Sequence, residues 1–429
     1  MVDWNAYPLD FLCEFTNGYA FKSTDYVARS HETYEVFRMG YIERGGGYKE
    51  DSSPVFVPRA YPRDLNKFLL RTDDVVIAMT DMKDRVAILG NTARIVHDNR
   101  FVLNQRVGLI RVKRSDLLNA RFFYLYSNWN PYVEFLRSRA NSGVQVNLTT
   151  SAIKESLITI PPLAEQEAIA AILGSLDDKI DCNRRMNETL EAMARAIFKD
   201  WFVDFGPTRA KMDGRAPYLA QEIWDLFPDA LDDEGKPAGW KKEKLGQHVT
   251  NYDSKRVPVS SAERAKMQGK YPYHGAASVM DYVDAYLFDG IFLLVGEDGS
   301  VVRDGGLAVT QYAWGKIWVN NHTHVLQGKG AVSTEQLYMY FCFEPVEPYI
   351  TGAVQPKLSQ GRMNEMPFLY PGKEVSLEFK EYVSPFFAKK RACTTESRTL
   401  AQTRDLLLPK LMSGEIRVKD AEKAVESIL

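Results

Sequence analysis

The chain is poor in the residues and runs that mark disulfide scaffolds, zinc sites and membrane proteins. Four cysteines occur in 429 residues, Cys13, Cys182, Cys342 and Cys393, and no two form a CxxC pair. That spacing argues against a disulfide framework or a structural zinc site and fits a reducing, cytoplasmic environment. No run of about 18 apolar residues occurs, so no membrane-spanning helix is expected. The stretch MVDWNAYPLD lacks a basic region followed by an apolar core, so no signal peptide is expected. Glycines are present in VGEDGSVVRDGG (295–306), but without the phosphate-binding spacing that ends in Lys-Ser/Thr. A hairpin turn is expected there, and ATP hydrolysis is not. His322 and His324, two apart on one face of an expected strand, have no third ligand in view, so a structural or DNA-facing role is expected. No carboxylate-lysine cluster points to a nuclease.

What the chain does have is a repeat. Its length suggests two or three domains, and 45% hydrophobic with 26% charged residues is ordinary for a globular protein. From Pro161-Pro162, residues suited to ending a strand and opening a helix, a heptad seam runs in alternating steps of four and three. Its positions are Ile169, Leu173, Leu176, Ile180, Asn183, Asn187, Leu190, Ala194, Ile197 and Trp201. Gly206-Pro207 is expected to end this helix, whose roughly 40 residues would extend about 60 Å.

Adding 210 to each position gives Phe379, Val383, Phe386, Lys390, Cys393, Ser397, Leu400, Arg404, Leu407 and Leu411. Both sets start apolar, turn polar in the middle and end apolar. Upstream, GVQVNLTTSAIKESLITIPP (143–162) resembles AVQPKLSQGRMNEMPFLYPG (353–372), with Gln145 against Gln355. Likewise DDVVIAMTDMKDRVAIL (73–89) parallels DGIFLLVGEDGSVVRDG (289–305), and FVLNQRVGLIRV (101–112) parallels WVNNHTHVLQG (318–328). Each is an apolar, strand-like run bounded by polar turns. The expected order is a mixed α/β module (1–160), a helix (161–205), a linker (206–239), a second module (240–372), a second helix (373–413) and a tail (414–429). The fold class is α+β: two similar modules separated by a pair of long antiparallel coiled-coil helices, as a pseudo-twofold internal repeat. Polar Asn183 and Asn187 in the seam would weaken the pair slightly while fixing its register.

Two similar modules held apart suit a ligand with two separated features, such as two short DNA sequences around an unread gap. The net charge of −2 does not advertise nucleic acid, but residues 1–162 are net positive and 163–239 net negative. DNA reading needs Arg, Lys, Asn and Gln on loops. Arg44, Tyr48 and Lys49 accompany a flexible glycine turn, RGGGYKED (44–51), and Lys83 and Arg85 lie in MTDMKDR (79–85). LRSRANSGVQVN (136–147), read as a loop, offers Arg137, Arg139, Asn141, Gln145 and Asn147. In the second half the candidates are Lys255, Arg256, Gln355, Lys357 and Arg362.

IPPLAEQEAIAAILGSLDDKI (160–180), FVDFGPTRAKMDG (202–214), LFPDAL (226–231), GKPAGW (235–240) and LLLPKLMSGEIRV (406–418) together resemble the specificity subunit of type I restriction-modification systems. The resemblance covers the central helix, the linker, the start of the second half and the C-terminal segment. It implies two target-recognition domains that each read one half of a bipartite site in double-stranded DNA. It also implies paired helices that set the spacer and dock two methylation subunits, and through them restriction/translocase subunits. On that basis Pro161-Pro162-Leu163-Ala164-Glu165-Gln166 and the heptad residues of both helices, Asn183 and Asn187 included, are structural and partner-docking positions. No cofactor is expected in this chain; S-adenosylmethionine, ATP and Mg are expected on partner subunits. YPGKEVSLEF (370–379) departs from IPPLAEQEAI, so the second helix is expected to start differently or to dock a partner less tightly.

NWNPYVEF (128–135) resembles the Asn-Pro-Pro-Tyr loop of adenine methyltransferases, which holds a flipped base. One proline is missing and no glycine-rich cofactor loop precedes it. The alternatives to a non-catalytic DNA-reading subunit are a coiled-coil scaffold that does not touch DNA, and a self-contained DNA methyltransferase or nuclease.

Overall fold

A computed structural model describes residues 4–51, 53–82, 87–142, 145–299, 301–352 and 355–426. The chain divides into two compact units. One runs to Asp181 and resumes at Ser397; the other is Cys182–Glu396. The division cuts both long helices, so each unit owns a β-rich module together with part of each helix. Among the described residues no helix is long and apolar enough to cross a membrane.

In the first unit a four-stranded antiparallel sheet has the order Cys13–Asn17, Val107–Val112, Val75–Ala78, Thr92–Arg94. The VVIA run of its third strand is buried along its whole length because the sheet has a core on each face. Val75 and Ile77 enter one cluster, with Phe122, Leu173 and Leu407. Val76 and Ala78 enter the other, with Val36, Phe37 and Phe101. In the second unit Phe288–Gly296 plays the same part within a six-stranded sheet. There Leu293 and Val295 face the core that holds Phe198 and Phe379, while Phe292 and Leu294 face a second core with Ile317.

The duplication is visible strand by strand. Val75–Ala78 pairs antiparallel with Val107–Val112, as Phe288–Gly296 does with Thr323–Gly328. Asn5–Pro8 pairs with Leu157–Ile160, as Lys241–Lys244 does with Pro367–Tyr370. Short helices Thr150–Lys154 and Gln360–Asn364 are each capped by a hydroxyl, Thr149 accepting from Ala152 N and Ser359 from Arg362 N. A long helix follows each time, Leu163–Phe198 and Lys373–Met412.

In the second unit the two helix segments run antiparallel, since partner numbers fall along one as they rise along the other. In the first unit Arg404 Nη1 donates to Asp177 Oδ1 at 2.9 Å. In the second, Asn183 Nδ2 donates to Glu396 Oε2 at 2.8 Å, Asn187 Nδ2 to Thr394 Oγ1 at 3.0 Å, and Lys390 pairs with Glu191. Burial disfavours a charged Glu191, but Lys390, with Tyr338 donating a hydrogen bond, outweighs it and holds the carboxyl below its ordinary range. Ile169, Leu173, Leu176, Asn183, Trp201, Phe379, Val383, Leu400, Leu407 and Leu411 are buried. Ile180, Asn187, Leu190, Ile197 and Phe386 are half-buried.

Three features differ from the sequence reading of the helices. Phe387 rather than Phe386 is the fully buried ring at its turn, because a 3.6-residue turn drifts against a 3.5-residue repeat. The first helix leaves α geometry at Phe198 and widens into a π turn, Lys199–Val203, that buries both Trp201 and Phe202. Gly206-Pro207 does not end the helix. The chain reverses at Phe205 (φ 55°), and Gly206 opens the next helix, Gly206–Met212. A Cβ at Gly206 would lie 2.0 Å from Asp200 Oδ1.

The two helix starts are indeed built differently. Gln166 is fully buried; its amide donates to Leu117 O and Pro161 O, both at 2.8 Å, and accepts from Asn119 N at 3.0 Å. The position 210 later is Ser376, also buried, with a hydroxyl that has no partner among the described residues. Gln166→Ala strands three backbone groups and should cost about 2–4 kcal/mol in denaturant unfolding, whereas Ser376→Ala should be within about 0.5 kcal/mol of neutral. Equal costs would show that Gln166 is not the tie.

Candidate nucleic-acid interface

In the first unit the glycine turn is anchored rather than flexible. Gly45, Gly46 and Gly47 all have positive φ, which side chains rarely tolerate, and a Cβ at Gly46 would meet Asn128 Cγ at 2.2 Å. Glu43 N donates to Gly47 O at 3.0 Å, Gly47 N to Thr92 O at 2.9 Å and Gly45 N to Asn91 Oδ1 at 3.3 Å. Asn128 ties down the same backbone, accepting from Thr92 N at 2.9 Å and donating to Thr92 O at 3.2 Å. The result is an exposed Arg44 on a fixed loop, with no ion pair among the described residues.

This turn forms one wall of a polar cleft of about 740 Å³. The other walls carry Ala87, Asn91, Asn128, Trp129, Asn130 and Arg137, with Arg404 and Asp405. The cleft therefore gathers Arg44 and Arg137, 93 positions apart in sequence, beside an indole and three amides. Guanidinium and amide groups are the side chains that pair with base edges and phosphates.

Several sequence candidates sit differently from their expectation. Most of the described residues of LRSRANSGVQVN are helix or strand rather than loop. Arg137 lies in the helix Asn130–Ser138, donating to Leu89 O at 2.9 Å and pairing with Glu134 at 2.8 Å. Arg139 caps that helix, its guanidinium 4.5 Å from the Phe135 ring centroid. Asn141 and Gln145 belong to paired strands Asn141–Ser142 and Gln145–Asn147, and Asn147 accepts from Thr80 Oγ1 at 2.8 Å. Tyr48 is half-buried against the core, its ring 6.1 Å from Tyr41. Burial pushes its hydroxyl's pKa up. Lys49 is exposed. Lys83 and Arg85 lie outside the described residues.

NWNPY is a helix start. Pro131 occupies the first turn of Asn130–Ser138, and Tyr132 is buried, its hydroxyl 2.8 Å from Ser156 Oγ. The Tyr132 ring is thereby committed to the core, whereas Trp129 of the same stretch is half-buried and lines the cleft.

In the second unit Lys255 lies 5.2 Å from the Tyr252 ring centroid, while Gln355 and Arg362 are exposed. Arg256 is not a free surface cation. It is spent inside the unit, donating to Glu297 at 2.7 Å and to Thr323 O at 2.7 Å. Lys357 also pairs with Glu297, at 3.2 Å. His322 sits in the turn before the strand Thr323–Gly328, 2.5 Å from Asp298. The two histidines therefore do not share a strand face. His324 is fully buried, its Nδ1 2.5 Å from Asp253 and its Nε2 2.7 Å from Leu358 O.

Asp253, Glu297 and His324 place potential metal-ligand atoms within 4.8 Å of one another. The donor set does not suit a cation, because both imidazole nitrogens already face protein acceptors and Arg256 and Lys357 engage the carboxylate of Glu297. Burial opposes ionisation of Asp253 and Glu297. For Asp253 the hydrogen bond and charge of His324 outweigh it; for Glu297 the Arg256 bond and His324 charge do so, leaving both carboxyls below their ordinary values. The cluster is an ion-pair network that fastens Leu358 and the strand Thr323–Gly328. Sequence reasoning named its Arg256 and Lys357 for DNA and missed the acids, which are 44 positions apart.

A family model described as type I restriction modification DNA specificity domain matches residues 1–192 and 237–396. The type I restriction enzyme MjaIX specificity subunit of Methanocaldococcus jannaschii is 23% identical over 328 residues, covering 72% of this chain and 72% of that protein. The type I restriction enzyme HindI specificity subunit of Haemophilus influenzae is 22% identical over 390 residues, covering 76% and 84%. A crystal structure of the S subunit of a type I restriction-modification system from M. genitalium shares the fold. Its TM-score is 0.55 at 17% identity, with 96% of each chain covered.

Proposed function

Because the chain belongs to the type I restriction modification DNA specificity family, we propose that it is the DNA-reading subunit of such a system. Each β-rich module, over residues 1–160 and 240–372, acts as a target-recognition domain for one half of a bipartite site. The observation that carries this is the repeat: one strand order and one capped helix occur twice, each followed by a long helix. Two copies of one reading device in a single chain suit a target of two parts. The heptad seams of the long helices fix the unread spacer and offer docking surfaces for two methylation subunits, with restriction/translocase subunits joining through them.

The chain itself is read as non-catalytic. Among the described residues the cluster of Asp253, Glu297 and His324, whose potential ligand atoms lie close together, is consumed in internal ion pairs. S-adenosylmethionine, ATP and Mg belong to the partners in this reading.

Within the first module the cleft beside Arg44 is the proposed contact with DNA. Arg44→Glu, in the complex with methylation subunits, should weaken binding to a cognate duplex by about 1–3 kcal/mol and lower the slope of log K against log salt by about one. Gly45 and Asn91 keep the turn in place, so the fold should survive. Unchanged affinity and slope in a fluorescence anisotropy titration would remove this turn from the interface.

A further inference from the structure

The Cys182–Glu396 unit contains a second cavity, of about 200 Å³, beside the π turn. The proposed reading of DNA makes no use of it. Its walls are aromatic: Phe198 stacks on Phe343 at 5.6 Å and 14°, and Tyr340 adjoins them. The Tyr340 hydroxyl is committed to Pro367 O at 2.8 Å.

Among the described residues two polar groups in this wall lack partners. Gln336 is 1% exposed, and its Oε1 is buried without a hydrogen bond. Glu344 has no ion pair among the described residues, and burial alone pushes its carboxyl above the ordinary value. The one cation at the rim, Lys242, is turned to Glu234 at 2.9 Å.

A buried acceptor and an acid without an ion pair, lining one aromatic cavity, form a set of groups that a positively charged donor would complete. Such a donor must also tolerate loss of water. The guanidinium meets each demand: it is planar, weakly hydrated, rich in donors, and stacks on aromatic faces. An ammonium is more strongly hydrated, and a neutral apolar group would leave Glu344 and Gln336 unanswered.

We propose that this cavity is a binding site for a guanidinium group on a short apolar stem, the size of an arginine side chain. Glu344 supplies the counter-charge, Gln336 the buried acceptor, and Phe198 with Phe343 the stacking face. The proposal stands on this unit alone and does not depend on the DNA-reading role.

The probe is butylguanidinium, with uncharged butylurea as its isostere, titrated into the full chain and followed by saturation-transfer NMR. Butylguanidinium should bind the full chain at least about tenfold more tightly than butylurea, as a charge-assisted pair requires. Glu344→Gln should bring the two within about twofold. Equal binding of both probes to the unaltered chain, or saturation by neither at millimolar concentration, would overturn the proposal. This comparison decides the matter even if the variant fails to fold. A capped arginine, acetyl-arginine-methylamide, separates the sources. Binding as tight as that of butylguanidinium assigns the site to an arginine of a protein, and weaker binding assigns it to a free small cation.

Discussion

Phe379→Ala should lower the unfolding free energy of the Cys182–Glu396 unit by about 3–5 kcal/mol, the cost of deleting a buried ring from a tight core. Phe379 has no exposed surface. It meets Phe202 edge-on at 5.0 Å, and Phe198 and Trp201 at 5.8 Å each. Three of these four rings come from the end of the first long helix and its π turn, and the fourth from the start of the second helix. One substitution therefore opens the place where both helices join the module. Leu377→Ala, at a position 37% exposed, should cost well under about 1 kcal/mol. Chemical denaturation of both variants checks this, and a Phe379→Ala cost near that of Leu377→Ala would contradict it.

A comparable loss, about 3–5 kcal/mol, is expected for Asp253→Ala, because the change leaves His324 buried without its carboxylate. Asp253 also accepts from Val325 N at 2.9 Å, so the strand edge is released as well. The network gives the unit a defined acid sensitivity. Folding lowers the carboxyl values of Asp253 and Glu297 from 3.8 and 4.5. Their stabilisation is therefore fully present above those unfolded values and is lost as pH falls through the lower folded ones. A plot of unfolding free energy against pH should fall below about pH 4.5 in the unaltered chain, and less steeply in Asp253→Ala. If added zinc raised the melting temperature of the unaltered chain but not of Asp253→Ala, the cluster would be a metal site after all.

Much of the architecture could be read from the residues. The 210-residue offset holds for the capped helices, the closing strands and the helices that follow, because apolar periodicity and proline placement are local signals. VVIA and IFLLVG read as strands for the same reason. The π turn and the switch from Phe386 to Phe387 could not be read, since both depend on how a helix drifts against its partner. The cleft was half legible. Arg44 and Arg137 stood out as basic residues near turns, but Asn91 and Asn128, which hold the glycine turn, carry no sequence signal that separates them from surface amides. Arg256 shows the opposite failure: a basic residue in a polar stretch is expected in solvent, and here three elements of the fold converge on it.

The central claim is that this chain decides which DNA sequence is modified. Co-expression with the proposed methylation subunit in a host free of methylation, followed by genome-wide mapping of modified bases, tests it most directly. The account predicts an interrupted two-part motif that is present only with this chain, and whose gap alone changes when both long helices are shortened equally. Co-purification of the two proteins with no such motif, or a motif that persists without this chain, would contradict it.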